Sequence, residues 1–272
     1  MPDRQEMMKK PVVFTLPGME QVQVERDRVY KTVDELALKM DVYYPPAVSP
    51  QKKYPAVLFV HGEAWAATDD EHDVKDAGQY TCWGQLVAAS GCIGVTFNHR
   101  VSRSYTRLHE AGSDIDDFIN YVRTQVPGVD PERLCLFVVS GGGPYGLCAG
   151  LRSAAVRCCV VYYAMLNPEL YRAFVDPSVS DEDLTAFSPV AYLRQMTATD
   201  HVAPLFIVRA GQDHPDLKET IDQFVTEALA HDVDFELINY VQGHHAFDVL
   251  DDTEQSRHII RQTLVFIQRY IV

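Results

Sequence analysis

The spacing of apolar and polar residues changes several times along this chain of 272 residues. Each change marks an element. Leu36, Leu38, Met40, Val42 and Tyr44 alternate with Glu35, Ala37, Lys39, Asp41 and Tyr43. That period of two predicts a half-exposed strand of antiparallel type. Pro45-Pro46 ends it, and residues 45–53 read as a loop. Short, continuously apolar runs follow at 56–60, 92–97, 134–139, 159–164, 205–208 and 235–241. Apolarity without alternation means that both faces are covered, as in a parallel sheet. Between these runs the spacing turns helical. Ile115, Phe118, Ile119 and Val122 share one helix face; so do Leu217, Ile221, Phe224, Val225 and Ala228, and again Ile260, Leu264, Ile267 and Ile271. Strand and helix in alternation predict an α/β fold. The expected form is a three-layer sandwich whose central sheet is mostly parallel, with helices on both faces.

One domain spanning 1–272 accounts for this pattern, because no composition break or linker interrupts it. Residues 1–20 read as a poorly constrained lead-in. Residues 165–204 form an unusually long connection, of the sort that serves as a lid or a substrate-pocket insertion.

Composition narrows the chemistry. A net charge of −14 repels phosphate backbones and anionic membranes, so neither nucleic acid nor a membrane is an expected partner. The N-terminus is charged and carries no signal-peptide core, and the longest apolar run (158–166) is too short to span a bilayer. The expectation is a cytoplasmic protein. Six cysteines sit mostly in apolar runs without CxxC spacing, which fits reduced core thiols rather than a metal or redox site.

The apolar run 134–139 leads directly into Ser140-Gly141-Gly142-Gly143. A buried strand that ends in a serine followed by glycines holds a hydroxyl on a sharp turn, at the rim of the sheet where ligands bind. A phosphate-binding loop is excluded by the missing lysine. Asp213 follows the run 205–208 within Ala210-Gly211-Gln212-Asp213, with Asp216 as its competitor; the alternative for Asp216 is capping the next helix. His244 and His245 follow the last run, and only one of two neighbours can face a given point. Acyl transfer needs a nucleophile, a base and an orienting carboxylate, and the order Ser140, Asp213, histidine supplies them. The developing oxyanion needs backbone N–H donors. Gly141 and either Gly62 or Glu63, in His61-Gly62-Glu63-Ala64-Trp65, are placed to give them. The acidic run Asp69 to Asp73 reads as a solvated loop, and Asp114, Asp116 and Asp117 as carboxylates near a helix start. Tyr145, Tyr162 and Tyr163 read as pocket lining or core.

Several of these segments carry a family pattern. Tyr54 to Gly62 resembles the strand and His-Gly oxyanion loop of lipases and esterases. Thr96-Phe97-Asn98-His99-Arg100, Asp130-Pro131-Glu132-Arg133-Leu134 and Val139-Ser140-Gly141-Gly142-Gly143 resemble that group's approach to its nucleophile. Ser188 to Leu193 resembles the segment before the acid-bearing strand. From about Met40 to the C-terminus the chain thus resembles the α/β-hydrolase superfamily, in its esterase and dienelactone-hydrolase-like branch. The resemblance implies the α/β-hydrolase fold. It also favours His245, because Gly243-His244-His245-Ala246-Phe247 matches a G-x-x-H-x-F histidine loop. Two positions depart from it: Val138 stands at the usual elbow glycine, and Glu63 at the second glycine of HGG.

The implied activity is hydrolysis of a small or medium carboxylic ester through an acyl-enzyme, on a small-molecule substrate and without metal or cofactor. A serine peptidase of prolyl-oligopeptidase type and a non-catalytic ligand- or partner-binding protein are the alternatives.

Overall fold

The computed structural model describes residues 4–62, 74–100, 104–172, 175–197 and 202–272. Its strands are β1 (Gln23–Val33), β2 (Leu36–Tyr44), β3 (Tyr54–Val60), β4 (Ile93–Phe97), β5 (Val129–Val139), β6 (Val156–Tyr162), β7 (Leu205–Ala210) and β8 (Phe235–Tyr240). Among the described residues they form one sheet in the order β1-β2-β4-β3-β5-β6-β7-β8. The β1–β2 and β2–β4 pairs are antiparallel, and every other pair is parallel. The helices are α1 (Arg4–Lys9), α2 (Gly78–Ala89), α3 (Leu108–Gln125), α4 (Cys148–Arg152), α5 (Asp181–Ala186), α6 (Pro189–Gln195), α7 (Pro215–Ala230), α8 (Phe247–Leu250) and α9 (Glu254–Ile271).

Five of the six apolar runs are buried parallel strands, as their composition requires. The run 235–241 is a correction, because β8 is the last strand of the sheet order and only its Tyr240 is buried. All seven residues of β3 and all five of β4 are buried. Neighbouring side chains on a strand point to opposite faces. On one face Phe59 and Phe137 pack against Trp83 of α2, and Tyr162 bonds Thr263 of α9. On the other, Phe97 stacks on Phe118 of α3 at 3.6 Å. The three-layer expectation therefore holds. The helical stripes also hold: Ile115, Phe118, Ile119 and Val122 are all buried, as are Ile260, Leu264, Ile267 and Ile271. In the α7 stripe Val225 is only half-buried.

Two elements were hidden in the sequence. β1 carries Glu25, Arg26, Asp27, Arg28 and Lys31, and of its eleven residues only Tyr30 is buried. It is an edge strand, and charges there discourage pairing with other chains while masking the strand pattern. α2 is buried nearly all round, so it has no polar face to reveal a helical period. Its Gly84 is required by Tyr43, whose ring would lie 2.6 Å from an added Cβ.

The lead-in is a correction. Residues 9–13 are tied down rather than loose: Val12 is buried, the Val13 N–H donates to the Asp248 carbonyl at 2.8 Å, and the Lys10 carbonyl lies where a Cβ on Gly78 would be. Asp114, Asp116 and Asp117 are also corrected, because they lie inside α3 rather than at its start. Asp114 is fully buried and accepts from Arg100 Nε at 2.8 Å, with Lys31 Nζ at 2.7 Å. It joins β1, the loop after β4 and α3. Burial alone would raise its carboxyl; the hydrogen bonds from Arg100 and Lys31 outweigh that and hold it below its ordinary value. A depressed carboxyl contributes stability above its unfolded pKa, and that stability is lost as pH falls through the lower, folded value. Thermal denaturation should therefore show a Tm that falls below about pH 4. Asp114→Ala should lose about 3 kcal/mol at neutral pH, since it removes the buried carboxylate that Arg100 and Lys31 share. It should also flatten the acid limb.

The six cysteines are free and buried. Among the described residues no helix is long and apolar enough to cross a membrane.

Candidate active site

Strand β5 delivers Ser140 to the rim of the sheet. The serine has a positive φ of 52°, a conformation costly for any residue with a Cβ. The chain then winds tightly, through a 3-10 turn over Ser140–Gly142 and one π turn over Gly143–Leu147 into α4. The backbone is gripped from two sides. The Ser140 carbonyl accepts the Met165 N–H at 2.9 Å, and a Cβ on Gly142 would lie 2.7 Å from the His61 carbonyl oxygen. Val138 fits at the elbow because Gly146 makes room for it. A Cβ on Gly146 would come within 3.2 Å of Val138 Cγ1. The missing glycine before the serine is thus matched by a glycine after it.

Ser140 Oγ lies 2.8 Å from His245 Nε2. His245 Nδ1 lies 2.7 Å from Asp213 Oδ2, and the other carboxylate oxygen of Asp213 accepts the His214 N–H at 2.7 Å. Three residues from the ends of β5, β7 and β8 so form one hydrogen-bonded chain. The Asp213 side chain is only 6% exposed, whereas His245 is 32% exposed, so the imidazole faces the open side. With Asp213 accepting at Nδ1, the neutral imidazole carries its proton there, and Nε2 is left to accept from the serine hydroxyl.

The competing residues are accounted for. His244 turns away and pairs with Asp251, 2.9 Å from its Nδ1, with its side chain mostly exposed. Asp216 sits in the first turn of α7 beside His214, where a carboxylate complements the helix dipole. Tyr145, Tyr162 and Tyr163 are all buried, but the Tyr163 ring lies 4.7 Å from the ring of His245.

On the oxyanion side, Gly62 presses on the nucleophile. A Cβ there would lie 2.8 Å from Ser140 Cβ and 3.0 Å from the Gly141 nitrogen. The Gly62 N–H donates to the Tyr80 hydroxyl at 3.4 Å. Beneath this loop His61 and His99 stack at 3.7 Å, and burial, then the neighbouring His99, keeps His61 neutral by holding its pKa well below the usual histidine value. Glu63, the other oxyanion candidate, lies outside the described residues, as do Trp65 and the acidic run 69–73. Among the described residues no cluster of His, Cys, Asp or Glu could hold a metal.

The comparisons agree with this arrangement of strands. Thermogutta terrifontis esterase 2, phosphoramylated by tabun, superposes with a TM-score of 0.71 at 19% identity, over 94% of this chain and 98% of that one. Its butyrate-bound form matches with a TM-score of 0.70 at 21% identity, over 93% and 97%. The form phosphorylated by paraoxon matches with a TM-score of 0.70 at 20% identity, over 92% and 93%. The chain has the α/β-hydrolase fold. The BD-FAE family model, itself of α/β-hydrolase type, matches residues 40–163, from within β2 to just past β6. The resemblance to the esterase branch of the superfamily stands on these two findings. No curated protein matches the chain.

Sequence reasoning missed Tyr80, Gln79, Trp83 and Asp248, the polar groups beneath the site. Gln79, Tyr80 and Trp83 sit on the helix whose period is invisible. Asp248, three residues beyond His245 in a stretch that stands out only for its histidines, looks like an ordinary surface carboxylate in the sequence.

Proposed function

We propose that this protein is a serine hydrolase that cleaves a small or medium carboxylic ester through an acyl-enzyme. The observation that carries the reading is the hydrogen-bonded chain from Ser140 Oγ through His245 to Asp213. Its chemistry is set by which groups can accept a proton. Ser140 Oγ attacks the ester carbonyl carbon as His245 Nε2 takes the hydroxyl proton. Asp213 stays ionised, holds the tautomer and stabilises the imidazolium. The carbonyl oxygen becomes an oxyanion, for which we assign the Gly141 N–H as one donor. Because the Gly62 N–H already faces Tyr80, we assign the second donor to the main chain at Glu63. Collapse of the tetrahedral intermediate breaks the bond to the alcohol oxygen, which leaves with the proton from His245. Water, deprotonated by the same imidazole, then releases the acid and restores Ser140.

The butyrate-bound and propionate-bound forms of the Thermogutta esterase support a short acyl chain here. We assign pocket shaping to residues 165–204, carried by the single domain 1–272. Support comes from α6, which buries Pro189, Val190, Ala191 and Leu193, and from His109 of α3, which bonds Asp183 of α5 at 2.7 Å.

A series of p-nitrophenyl esters of rising chain length tests the reading. It predicts an initial burst of one nitrophenolate per chain and a preference for short acyl groups. His244→Ala should retain turnover within about two-fold, since its side chain is mostly exposed and bonds Asp251 rather than the serine. His245→Ala should lose about 10⁴-fold or more. Absence of any hydrolysis across the series by folded protein would refute the reading.

A further inference from the structure

Beneath the histidine lies a carboxylate that forms no ion pair among the described residues. Asp248 is fully buried, at the start of α8. Its Oδ1 accepts the Tyr163 hydroxyl at 2.6 Å, and its Oδ2 accepts Trp83 Nε1 at 2.8 Å and Gln79 Nε2 at 2.9 Å. Gln79 Nε2 also donates to the Tyr163 oxygen at 2.8 Å, which closes the ring of bonds. A buried, unpaired carboxylate is costly, and burial pushes this one above its ordinary value. Three neutral donors on it form a satisfied network, which fixes the groups that share it.

Those groups are parts of the site. Gln79 and Trp83 stand one helical turn apart on α2, and Tyr80 between them accepts the Gly62 N–H. Tyr163 follows β6 directly, at a positive φ of 38°, and its ring lies against His245. Asp248 is three residues past His245, beyond Ala246, which has a positive φ of 58°. The N-terminal segment closes the assembly: Val13 N–H bonds the Asp248 carbonyl, and Lys10 packs over Gly78 at the start of α2.

We infer that Asp248 is a positioning residue: with Gln79, Trp83 and Tyr163 it forms a buried strut that holds the His245 loop, and through Tyr80 the Gly62 loop, in register with Ser140. The inference rests on the serine-hydrolase reading above. Asp248 touches no reacting atom; it acts through the Tyr163 ring and the short segment that joins it to His245.

The test compares Asp248→Leu, Asp248→Asn, Trp83→Phe and Tyr163→Phe with the parent, on one p-nitrophenyl ester and on a fluorophosphonate probe. A leucine of similar volume removes every acceptor. Its kcat and its labelling rate should fall on the order of 10- to 100-fold with KM within about two-fold, since misalignment by about 1 Å carries that penalty. Asparagine can still accept from Trp83 and Gln79, and should recover most of the loss. Tyr163→Phe keeps the ring against His245 but removes the two bonds of its hydroxyl, to Asp248 and from Gln79, while Trp83 and Gln79 still bond Asp248. It should show a smaller loss of kcat at unchanged KM, as should Trp83→Phe, which removes one bond. These two phenylalanine variants keep the core filled, so they decide the matter if Asp248→Leu does not fold. The His245 imidazole resonance in NMR should broaden or shift in the variants that lose kcat. A parent that is labelled at Ser140 while folded variants keep full kcat and an unmoved His245 resonance would overturn the strut. A parent that is never labelled would overturn the hydrolase reading instead.

Discussion

Ser140→Ala is expected to lower kcat for ester hydrolysis by about 10⁴- to 10⁶-fold, with the fold intact. The geometry sets the size of the effect. Ser140 Oγ is the hydroxyl that bonds His245 Nε2, and alanine leaves the base with nothing to deprotonate. The residual rate would come from the oxyanion donors and from binding. Stability separates alanine from glycine at this position. The serine holds φ at 52° in a buried turn, and such strain costs about 1–3 kcal/mol. Ser140→Gly abolishes the nucleophile too, but glycine adopts this backbone without penalty. Its Tm should therefore exceed that of Ser140→Ala, the reverse of the usual cost of glycine. Equal Tm values for the two variants would show that the turn stores no strain.

The second large effect is on folding. Gly143→Ala should destroy the native state, or remove more than about 4 kcal/mol of its stability. A Cβ at this position would stand 1.8 Å from the Met165 carbonyl oxygen, which is main chain and cannot rotate away. Relief would require the turn after Ser140 to separate from the end of β6, and the Met165 N–H to leave the Ser140 carbonyl. Typical domains have only about 5–15 kcal/mol to lose, so soluble yield and the midpoint of urea unfolding are the readouts. A Gly143→Ala variant with parental midpoint would mean that the elbow is not packed against residue 165.

The site was more legible in the sequence than its support. Ser140, Asp213 and His245 each follow an apolar run, and a parallel sheet gathers the ends of such runs at one rim. That is why residues 105 positions apart in the chain meet at 2.8 Å. The choice of His245 over His244 rests only on the G-x-x-H-x-F resemblance, because alternation alone says that the two diverge and not which turns inward. The strands with both faces covered were readable for the same reason. The failures share a cause. β1 is charged because it is an edge, and α2 has no stripe because it is covered on every side. A period is visible only where one face meets water and the other does not. Asp248 was illegible because a carboxylate in a sequence carries no mark of its burial. The tight lead-in was illegible because its ties are mainly backbone contacts, to the Asp248 carbonyl and to Gly78.

Val138 separates this chain from the G-x-S-x-G pattern, and the packing gives the reason it is tolerated. The volume of the valine is taken up by the absence of a side chain at Gly146, one turn into the helical segment. The turn itself keeps Ser140 at the positive φ that the nucleophile position demands.

The central claim is that Ser140 is a nucleophile activated by His245. Mass spectrometry of the intact chain and its peptides after exposure to a fluorophosphonate measures this most directly. The account predicts one adduct per chain, on the peptide bearing Ser140, absent from Ser140→Ala and strongly slowed in His245→Ala. An unlabelled, folded protein, or an adduct on another residue that survives Ser140→Ala, would contradict it.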